Sequence, residues 1–506
     1  LLFFFFFAGR DGTNVIAPTV GAAEQFALGE GFWDGRGVAQ DRAQAAAWYR
    51  RAAAQGHAAA QSKLGDCYRD GIGVAQDYME AAAWYRRAAE QRCAAAQFNL
   101  GVGHQHGRGV DQDDVQAAVW FRRAADQGHA DAQYRLALCY DHGQGVEHDD
   151  AMAVALYRRA AEQGHKLAQS DLGVCYYNGQ GVDQDHAEAV AWYRRAAEQG
   201  HATAQFNLGA CYYHSHGVDQ DYAQAVTWYR QAAEQGNAAA RYNLGVCYYS
   251  GQGVRQDFAE AAAWFRRAAN QDHTDAQCHL GVCYRDGLGV DQDYAKAVRW
   301  YRRAAKRGNT TARYNLGVCY YHGYGVARDY TVAVTCYRQV TAQGHAPARC
   351  SLGVCYYNGH GVDQDYAMAI VLLRQAAEQG HMDAHYHLGV CHREGHGVDQ
   401  DHAAAVAWFH RAAEHGNAPA QYNLGVCYRD GHGVDQDYAE AATWFRRAAD
   451  QGDAQAQFHL GECYELGRGV CQDHAQAMAW YRRAAEQSHP EACAALNRFD
   501  GSCILM

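Results

Sequence analysis

Proline is nearly missing from this chain, and so are long hydrophobic runs and any excess of positive charge. The 506 residues include only four prolines, and the formal net charge is −11. A negative charge of this size opposes nucleic-acid binding, which needs a basic surface. The longest apolar run is LLFFFFFA at residues 1–8, whereas a membrane-spanning helix requires roughly 18 residues. The sequence therefore predicts neither a nucleic-acid partner nor a transmembrane span.

Signatures of catalysis are also lacking. The chain has no phosphate-binding loop of the Walker type. No Ser/His/Asp set or pair of carboxylates is unique to one segment, because every candidate Cys, His or Asp recurs at a fixed position of a repeat. The sequence therefore predicts a protein that is not an enzyme and carries no cofactor.

Repetition is what the chain has in abundance. A leucine, nearly always followed by glycine, recurs every 36 residues without insertion. Thirteen full units cover about residues 23–489, and Leu496 continues the series into a partial fourteenth. The thirteen leucines are Leu28, Leu64, Leu100, Leu136, Leu172, Leu208, Leu244, Leu280, Leu316, Leu352, Leu388, Leu424 and Leu460.

Each unit has two segments with helical periodicity. In residues 168–203, apolar side chains at helical spacing mark a first helix, which ends at Gly179 and Gly181. A second apolar stripe around Tyr193 ends near Gly200, where a C-terminal cap is expected. We expect two antiparallel helices joined by a glycine loop. Neither helix can bury its stripe alone, so neighbouring units must stack into a solenoid.

Recurring small and aromatic residues indicate how the units pack. Alanine occupies the position of Ala189 in all thirteen units, which predicts a close helix crossing. Tryptophan recurs at the position of Trp192, and we interpret it as a core residue between helices. Cys336 replaces this tryptophan in one unit and Leu372 replaces it in the next. We therefore expect looser packing around residues 331–375.

The pattern A…LG…Y…G.GV..D…A..WY..AA..G resembles the Sel-one-like repeats, which are relatives of the tetratricopeptide repeats. The resemblance spans roughly residues 23–496. It implies an all-α, right-handed superhelical solenoid of helix-turn-helix units with a concave groove lined by the first helices. Members of this family commonly act as adaptors that assemble protein complexes, in endoplasmic-reticulum quality control and in bacterial signalling. The resemblance thus implies protein or peptide partners.

Cysteines bear on the compartment. Eleven of the 18 occupy one position of the repeat, three residues after the leucine on the predicted buried stripe. We interpret them as small buried hydrophobic residues. One branch of the resembled family carries a disulfide in each repeat and includes penicillin-hydrolysing enzymes, but this chain lacks the required pairs of cysteines. A stack of free thiols favours a reducing, cytoplasmic compartment.

The stretch GHGVDQDYAE at residues 431–440 resembles a metal-binding loop, and its core GVDQDYA occurs verbatim four times. Asp437 has an aspartate equivalent in all thirteen units, whereas the position of Asp435 holds Arg255 in another unit. A metal site would not accommodate that arginine. A helix N-cap needs only one aspartate, so we predict that Asp437 caps the second helix.

Histidines are numerous, but their positions are typical of turns and not of metal sites. Eight follow the second helix, as His201 does, and asparagine replaces them at Asn237, which is typical of turn chemistry. The motifs CYYHSHG (Cys211, His214, His216) and CHREGH (Cys391, His392, His396) are the best metal candidates. Their spacing matches no standard zinc pattern, and we predict no metal.

Two variable positions of the first helix are candidates for partner binding. One precedes the repeat leucine and is often Asn, and the other follows it by five residues and is often Tyr. Asn amides can bond a peptide backbone, and Tyr offers a large contact area. The alternative is a merely solvated face. The predicted groove residues are Asn207, Tyr213, Asn243, Tyr249, Asn315, Tyr321 and Tyr357.

The second helix carries an arginine pair in most units, such as Arg194 and Arg195. An anionic-surface role conflicts with the negative net charge. Because Glu198 follows Arg194 by four residues, we expect an intrahelical ion pair at this position.

Three segments are predicted: a non-repeat segment at residues 1–22, the repeats at 23–489, and a capping half-repeat with a tail at 490–506. Residues 1–8 are either the remnant of a signal peptide or an artefact. Pro490 is predicted to lie in the first turn of a final helix. Cys503 begins a C-terminal prenylation pattern in which the final Met favours farnesyl. Prenylation would give reversible membrane association, and it competes with the signal hypothesis because a secreted chain would not meet the transferase.

The sequence favours a cytoplasmic, non-enzymatic adaptor that presents a groove to extended protein partners. A lumenal or secreted adaptor in quality control is the alternative if residues 1–8 belong to a signal peptide. A penicillin-hydrolysing enzyme is the third hypothesis, and the missing cysteine pairs oppose it.

Overall fold

The computed structural model describes residues 20–502, with side chains described as far as Arg498. The hypothesised signal remnant at residues 1–8 and the prenylation candidate Cys503 lie outside the described residues. Within them, the chain forms 27 α-helices and no β-strand. None of the described helices is long and apolar enough to cross a membrane.

The chain divides into two compact units, Leu1–Gln256 and Asp257–Met506, which we call the N-terminal half and the C-terminal half. The N-terminal half contains α1 (Ala22–Asp34), α2 (Arg42–Ala54), α3 (Ala58–Asp70), α4 (Tyr78–Glu90), α5 (Ala94–His106), α6 (Asp114–Ala125), α7 (Ala130–His142), α8 (Asp150–Glu162), α9 (Lys166–Asn178), α10 (His186–Glu198), α11 (Ala202–His214), α12 (Tyr222–Glu234) and α13 (Ala238–Ser250).

The C-terminal half continues the same alternation. It contains α14 (Phe258–Ala269), α15 (Thr274–Asp286), α16 (Tyr294–Lys306), α17 (Thr310–His322), α18 (Tyr330–Thr341), α19 (Ala346–Asn358), α20 (Tyr366–Glu378), α21 (Met382–Glu394), α22 (His402–Glu414), α23 (Ala418–Asp430), α24 (Tyr438–Asp450), α25 (Ala454–Leu466), α26 (His474–Glu486) and α27 (Pro490–Ser502). The predicted helix pairs are confirmed, and so is the final helix, which begins at Pro490.

Close contact between the two helices of a repeat explains its small residues. In the fifth repeat, Leu172, Ala189 and Ala196 are fully buried. A Cβ atom on Gly173 would lie 2.6 Å from the ring of Tyr193, so only glycine lets the aromatic ring of the second helix approach. Such packing leaves no space between the two helices of the repeat.

The GVDQDYA loop is a device for turning and capping. Gly431 ends α23 in the left-handed conformation, with φ 73°. A Cβ on Gly433 would lie 2.2 Å from the carbonyl oxygen of His402 in the preceding repeat. Asp437 accepts hydrogen bonds from the backbone N–H groups of Ala439 and Glu440, at 2.8 and 3.1 Å. The predicted N-cap is confirmed, while Asp435 is exposed.

Buried glutamines join consecutive repeats. Gln169 is 4% exposed, and its Nε2 donates to the Ala161 carbonyl of the preceding repeat at 3.0 Å. Its Oε1 accepts from Gln199 Nε2 at 2.7 Å. The buried amide thereby finds one partner in the preceding repeat and one in its own repeat, as buried polar groups require.

The interpretation of the arginine pairs as intrahelical ion pairs is wrong at Arg194. Its Nη2 donates to the Tyr212 hydroxyl in the next repeat, at 2.8 Å. The second arginine, Arg195, lies over the Trp192 ring, 4.3 Å from its centroid. Among the described residues no ion pair joins Arg194 to Glu198. Aromatic partners were available at fixed spacing, and a guanidinium can stack on them at little desolvation cost.

Candidate peptide-binding face

The predicted groove residues lie on first helices, in the two columns that flank the repeat leucine. Six of the seven are half-buried, whereas Asn315 is only 9% exposed. A third column, two residues after the leucine and mostly valine, lies between them on the helix surface. We call the surface formed by the three columns the first-helix face. In the C-terminal half it includes Asn315, Val318, Tyr321, Ser351, Val354, Tyr357, His387, Val390 and Arg393.

The tyrosines of this face also link consecutive repeats. The hydroxyls of four of them, Tyr177, Tyr213, Tyr321 and Tyr357, each meet a side chain in the glycine loop of the following repeat, so these residues hold the stacking as well as forming the surface. The rings stay partly accessible, since every tyrosine in this column is half-buried. Three of these pairs, measured from the hydroxyl oxygen, are Tyr213 to Gln252 Oε1 (2.5 Å), Tyr321 to His360 Nδ1 (2.9 Å) and Tyr357 to His396 Nδ1 (2.8 Å).

A cavity opens on the first-helix face of the C-terminal half. Its volume is about 410 Å³, and residues of four consecutive repeats, from Tyr314 to Pro419, line it. This volume suits a small ligand or a single side chain. Cys350 and Ser351 explain its position, because the preceding repeat places the larger Tyr314 and Asn315 at the same two positions. This change to smaller residues is visible in the sequence.

Two polar groups in the cavity wall have no hydrogen-bond partner among the described residues. Tyr337 is 2% exposed, and its hydroxyl bonds to no other group. The Nδ1 atom of His381 is buried and also unpartnered. The hydroxyls of Tyr314 and Ser351 lie 3.5 Å apart, at the outer limit of a hydrogen bond. Since buried polar atoms normally pair, the cavity has unused hydrogen-bonding capacity.

The cavity has a negative local charge. Asp383 is its only carboxylate, and neither Lys nor Arg is among its lining residues. Burial lowers the pKa of both His381 and His387, which keeps the two imidazoles neutral at pH 7. Burial raises the pKa of the Tyr314 hydroxyl, and the Asp383 carboxylate adds to that rise. The field of Asp383 thus extends into the aromatic wall.

A second cavity lies on the same face in the N-terminal half. Its volume is about 240 Å³, and its lining includes Val174, Tyr177, Tyr193 and the predicted groove residue Asn207. Ala210 stands where most repeats have valine, and the missing methyl groups create the space. Two predicted binding residues therefore border accessible cavities, Asn207 here and Tyr321 in the cavity of the C-terminal half.

Two of the four histidines in the metal-like motifs, His216 and His396, bond to tyrosines of the preceding repeat, whereas His392 Nδ1 is buried without a hydrogen-bond partner. His216 Nδ1 lies 2.7 Å from the Tyr177 hydroxyl, and His396 meets Tyr357 in the same way. Cys211 and Cys391 are buried. No group of three or more His, Cys, Asp and Glu side chains in the described part of the chain could hold a metal ion.

The histidines after the second helices have a more specific role than a turn. His201 Nδ1 accepts the backbone N–H of Ala204 at 3.4 Å and so caps α11. Asn237 caps α13 in the same way, accepting from Ala240 at 2.8 Å. The exchange of His for Asn in the sequence reflects a shared acceptor atom, which the turn interpretation missed. His381 is the exception, since it makes no cap hydrogen bond.

The repeats of this chain match a known family of proteins. The Sel1 repeat model matches thirteen times, at residues 25–57, 58–93, 94–129, 130–165, 166–201, 202–237, 238–273, 274–309, 310–345, 346–381, 383–417, 418–453 and 454–489. Comparison with the curated proteins found no match.

Two solved structures are similar to the chain. The first is c5321, a protective antigen present in uropathogenic Escherichia coli strains that displays an SLR fold. It is 38% identical, with a TM-score of 0.73, over 83% of this chain and 90% of that one. The second is a Sel1 repeat protein from Oxalobacter formigenes, 34% identical with a TM-score of 0.49, over 62% of this chain and 94% of that one. With thirteen matches across its length, this chain belongs to the Sel1 repeat family.

Proposed function

We propose that this protein is a non-enzymatic adaptor that holds an extended segment of a protein partner on its first-helix face. The observation that carries the proposal is the cavity between Tyr314 and Pro419, whose wall contains polar groups without partners. Such a site gives a partner side chain both apolar contact and hydrogen bonds. The all-helical Sel1 repeat scaffold supports a protein-binding role over a catalytic one.

The face suits an extended chain because its columns repeat with the helices. Half-buried Asn and Tyr side chains recur on it at fixed sequence spacing, as at Asn207, Tyr213, Asn243 and Tyr249. A partner strand crossing several first helices would meet the same kinds of group in each repeat. Asn offers both a donor and an acceptor to a peptide backbone, and Tyr contributes contact area at a low entropic cost.

The test is a matched pair of arginine substitutions in the C-terminal half. Val354→Arg places a long charged side chain at the cavity, on a half-buried position of α19. Ala407→Arg places the same side chain on an exposed position of the second helix α22. Partners recovered by affinity purification from the native host are quantified by mass spectrometry for both variants and the unsubstituted protein.

We expect Val354→Arg to lose partners that Ala407→Arg retains, while circular dichroism shows the same helicity for both. Equal recovery by the two variants would refute binding on this face. Loss with both would point instead to a general effect of the added charge, and would also count against the proposal.

A further inference from the structure

The cavity between Tyr314 and Pro419 has a wall chemistry that selects among partner side chains. Aromatic rings from two repeats border it, at Tyr314 and Tyr321 of one repeat and Tyr386 of another. Tyr337 adds a ring at the interior, 5.8 Å between centroids from Tyr314. The π-faces of such rings attract cations. The wall therefore favours a flat or cationic group over an anionic one.

The hydrogen-bonding atoms in the wall are mainly available acceptors. The Tyr337 hydroxyl has free lone pairs because it bonds to no described residue. His381 Nδ1 has no partner, although the equivalent nitrogen of His345 accepts a cap hydrogen bond at 3.2 Å. The Ser351 hydroxyl has only the long contact with Tyr314. A ligand with several N–H donors would bond to the lone pairs of these atoms together.

The charges around the cavity also favour a cationic side chain. Asp383 is exposed and receives one hydrogen bond, from Asn417 Nδ2 at 3.0 Å, which leaves acceptor capacity on its carboxylate. Neither Lys nor Arg is among the residues that line the cavity, so no permanently charged cation neutralises this carboxylate. A cationic side chain from a partner would complete an ion pair beside a poorly solvated wall, where such pairs are stronger than in water.

Arginine fits these requirements better than lysine. Its guanidinium is planar, carries five N–H donors and no acceptor, and stacks on aromatic rings, whereas the lysine ammonium is a compact, strongly hydrated charge. The same chain already stacks arginine on aromatic rings, as Arg447 does over Trp444 at 4.4 Å. A cavity of about 410 Å³ leaves room for such a group.

We infer that this cavity binds an arginine side chain of the partner segment, with the guanidinium against the tyrosine wall and its N–H groups directed at Asp383, Tyr337 and Ser351. The inference rests on the proposed function, because it names the side chain that anchors a partner already held on the first-helix face.

The experiment starts from a phage-displayed library of random linear dodecapeptides selected against the full chain. Representative binders are then synthesised with a fluorophore, and their Kd is measured by fluorescence anisotropy. Each is compared with versions in which arginine is replaced by lysine or by citrulline, which keeps the shape and loses the charge. The protein variants are Asp383→Asn, Tyr337→Phe and Asp435→Asn, the last removing an exposed carboxylate away from the cavity.

We expect the selected peptides to share an arginine. Asp383→Asn and the citrulline peptide should each weaken binding roughly tenfold or more, as expected for loss of a charge-assisted hydrogen bond. Tyr337→Phe should weaken it by a smaller factor without lowering the melting temperature by more than Asp435→Asn does. Asp435→Asn itself should leave the Kd unchanged.

Two results would overturn the inference, and they differ in what they say of the proposed function. Peptides that Val354→Arg displaces, but that show no arginine preference and no response to Asp383→Asn, would refute the arginine site and leave the adaptor function standing. Peptides whose binding is insensitive to Val354→Arg, or a library that gives no binders, would refute both.

Discussion

Acidification should weaken specific first helices of this protein, and it should spare others in the same molecule. Four histidines each accept a cap hydrogen bond through Nδ1, at 3.1 to 3.4 Å, and each has a lowered pKa. They are His165, His201, His273 and His345. Protonation puts a hydrogen on Nδ1, and the acceptor of the cap is lost.

The direction of the pH effect on stability follows from the lowered pKa values of these histidines. Burial lowers the pKa of these histidines in the folded protein below the value near 6.5 of an unfolded chain. At pH values between the folded and unfolded pKa, the unfolded chain binds more protons, so the free energy of unfolding falls as the pH falls. The stabilisation is fully present above about pH 7 and is lost progressively below the unfolded pKa of about 6.5.

Neighbouring charges modify this effect without reversing it. Asp131 lies 3.3 Å from Nε2 of His165 and favours the charged imidazole. Asp275 does the same for His273. Lys166 acts in the opposite direction at His201. Burial is the largest effect at each of these histidines, so the net direction is shared.

The size of the change in the free energy of unfolding follows from the cap hydrogen bonds. With roughly 0.5–1 kcal/mol for each cap, the four together contribute about 2–4 kcal/mol between pH 7.5 and pH 5. Because a repeat array opens locally rather than in one step, the effect is best measured helix by helix.

Hydrogen exchange with mass spectrometry, corrected for the intrinsic pH dependence of exchange, makes that measurement. The first turns of α9 and α11, capped by His165 and His201, should lose protection at pH 5. The first turns of α13 and α17, capped by Asn237 and Asn309 at 2.8 and 2.7 Å, are internal controls and should not. Replacing the four histidines by asparagine should remove the difference. Equal loss in all four helices, or an unchanged response in the variant, would refute the cap argument.

Three further predictions concern the loop, the thiols and the binding face. Asp437→Ala should lower stability by about 0.5–2 kcal/mol through loss of the cap, and saturating calcium should not change the melting temperature of either protein; a calcium-dependent rise would restore the metal hypothesis. Burial raises the pKa of the Cys247 thiol to about 12, so buried thiols should react with Ellman's reagent only after unfolding. The exposed Cys471 and Cys493 should react quickly in the native protein. If few thiols react after unfolding without reductant, the chain contains disulfides and the prediction is wrong. Combined alanine replacement of Tyr213, Asn243 and Tyr249 should abolish the recovery of partners while helicity is retained. Because the Tyr213 hydroxyl bonds Gln252, a Tyr213→Phe control separates the loss of repeat stacking from the loss of partner binding. Full recovery of partners by the alanine variant would contradict the proposed face.

The repeat period made most of the fold predictable from sequence. A fixed spacing of 36 residues determines where helices begin and end, because the same glycines and the same capping aspartate recur in each unit. Asp437 was identified correctly since an N-cap depends only on local backbone geometry. Each of these features is settled within a few residues of chain, and a single sequence contains that information.

Interactions between repeats were harder to predict. Arg194 was assigned to Glu198 because helix rules relate residues four apart, yet its partner is Tyr212, 18 residues away in the next repeat. The hydrogen bond from Gln169 to the Ala161 carbonyl of the preceding repeat was not anticipated at all. Such contacts depend on how far one repeat is rotated against the next, and local periodicity does not determine that rotation.

Variable positions in this array fall into two kinds, and only one points to a partner. In the glycine loop, His360 stacks on Tyr330 of the preceding repeat with centroids 4.4 Å apart. At the equivalent two positions of an earlier pair of repeats, Gln180 Nε2 donates to Asp150 Oδ1 at 2.9 Å. In these two repeats the loop residue differs, but it is matched to its neighbour in the preceding repeat, so the variation adjusts the stacking. Ser351 is variable and has only a long contact with Tyr314, and in the same cavity wall His381 Nδ1 is buried without a hydrogen-bond partner. Variation that leaves polar groups unsatisfied stabilises nothing in the free protein, and a bound partner is the physical account that would satisfy them.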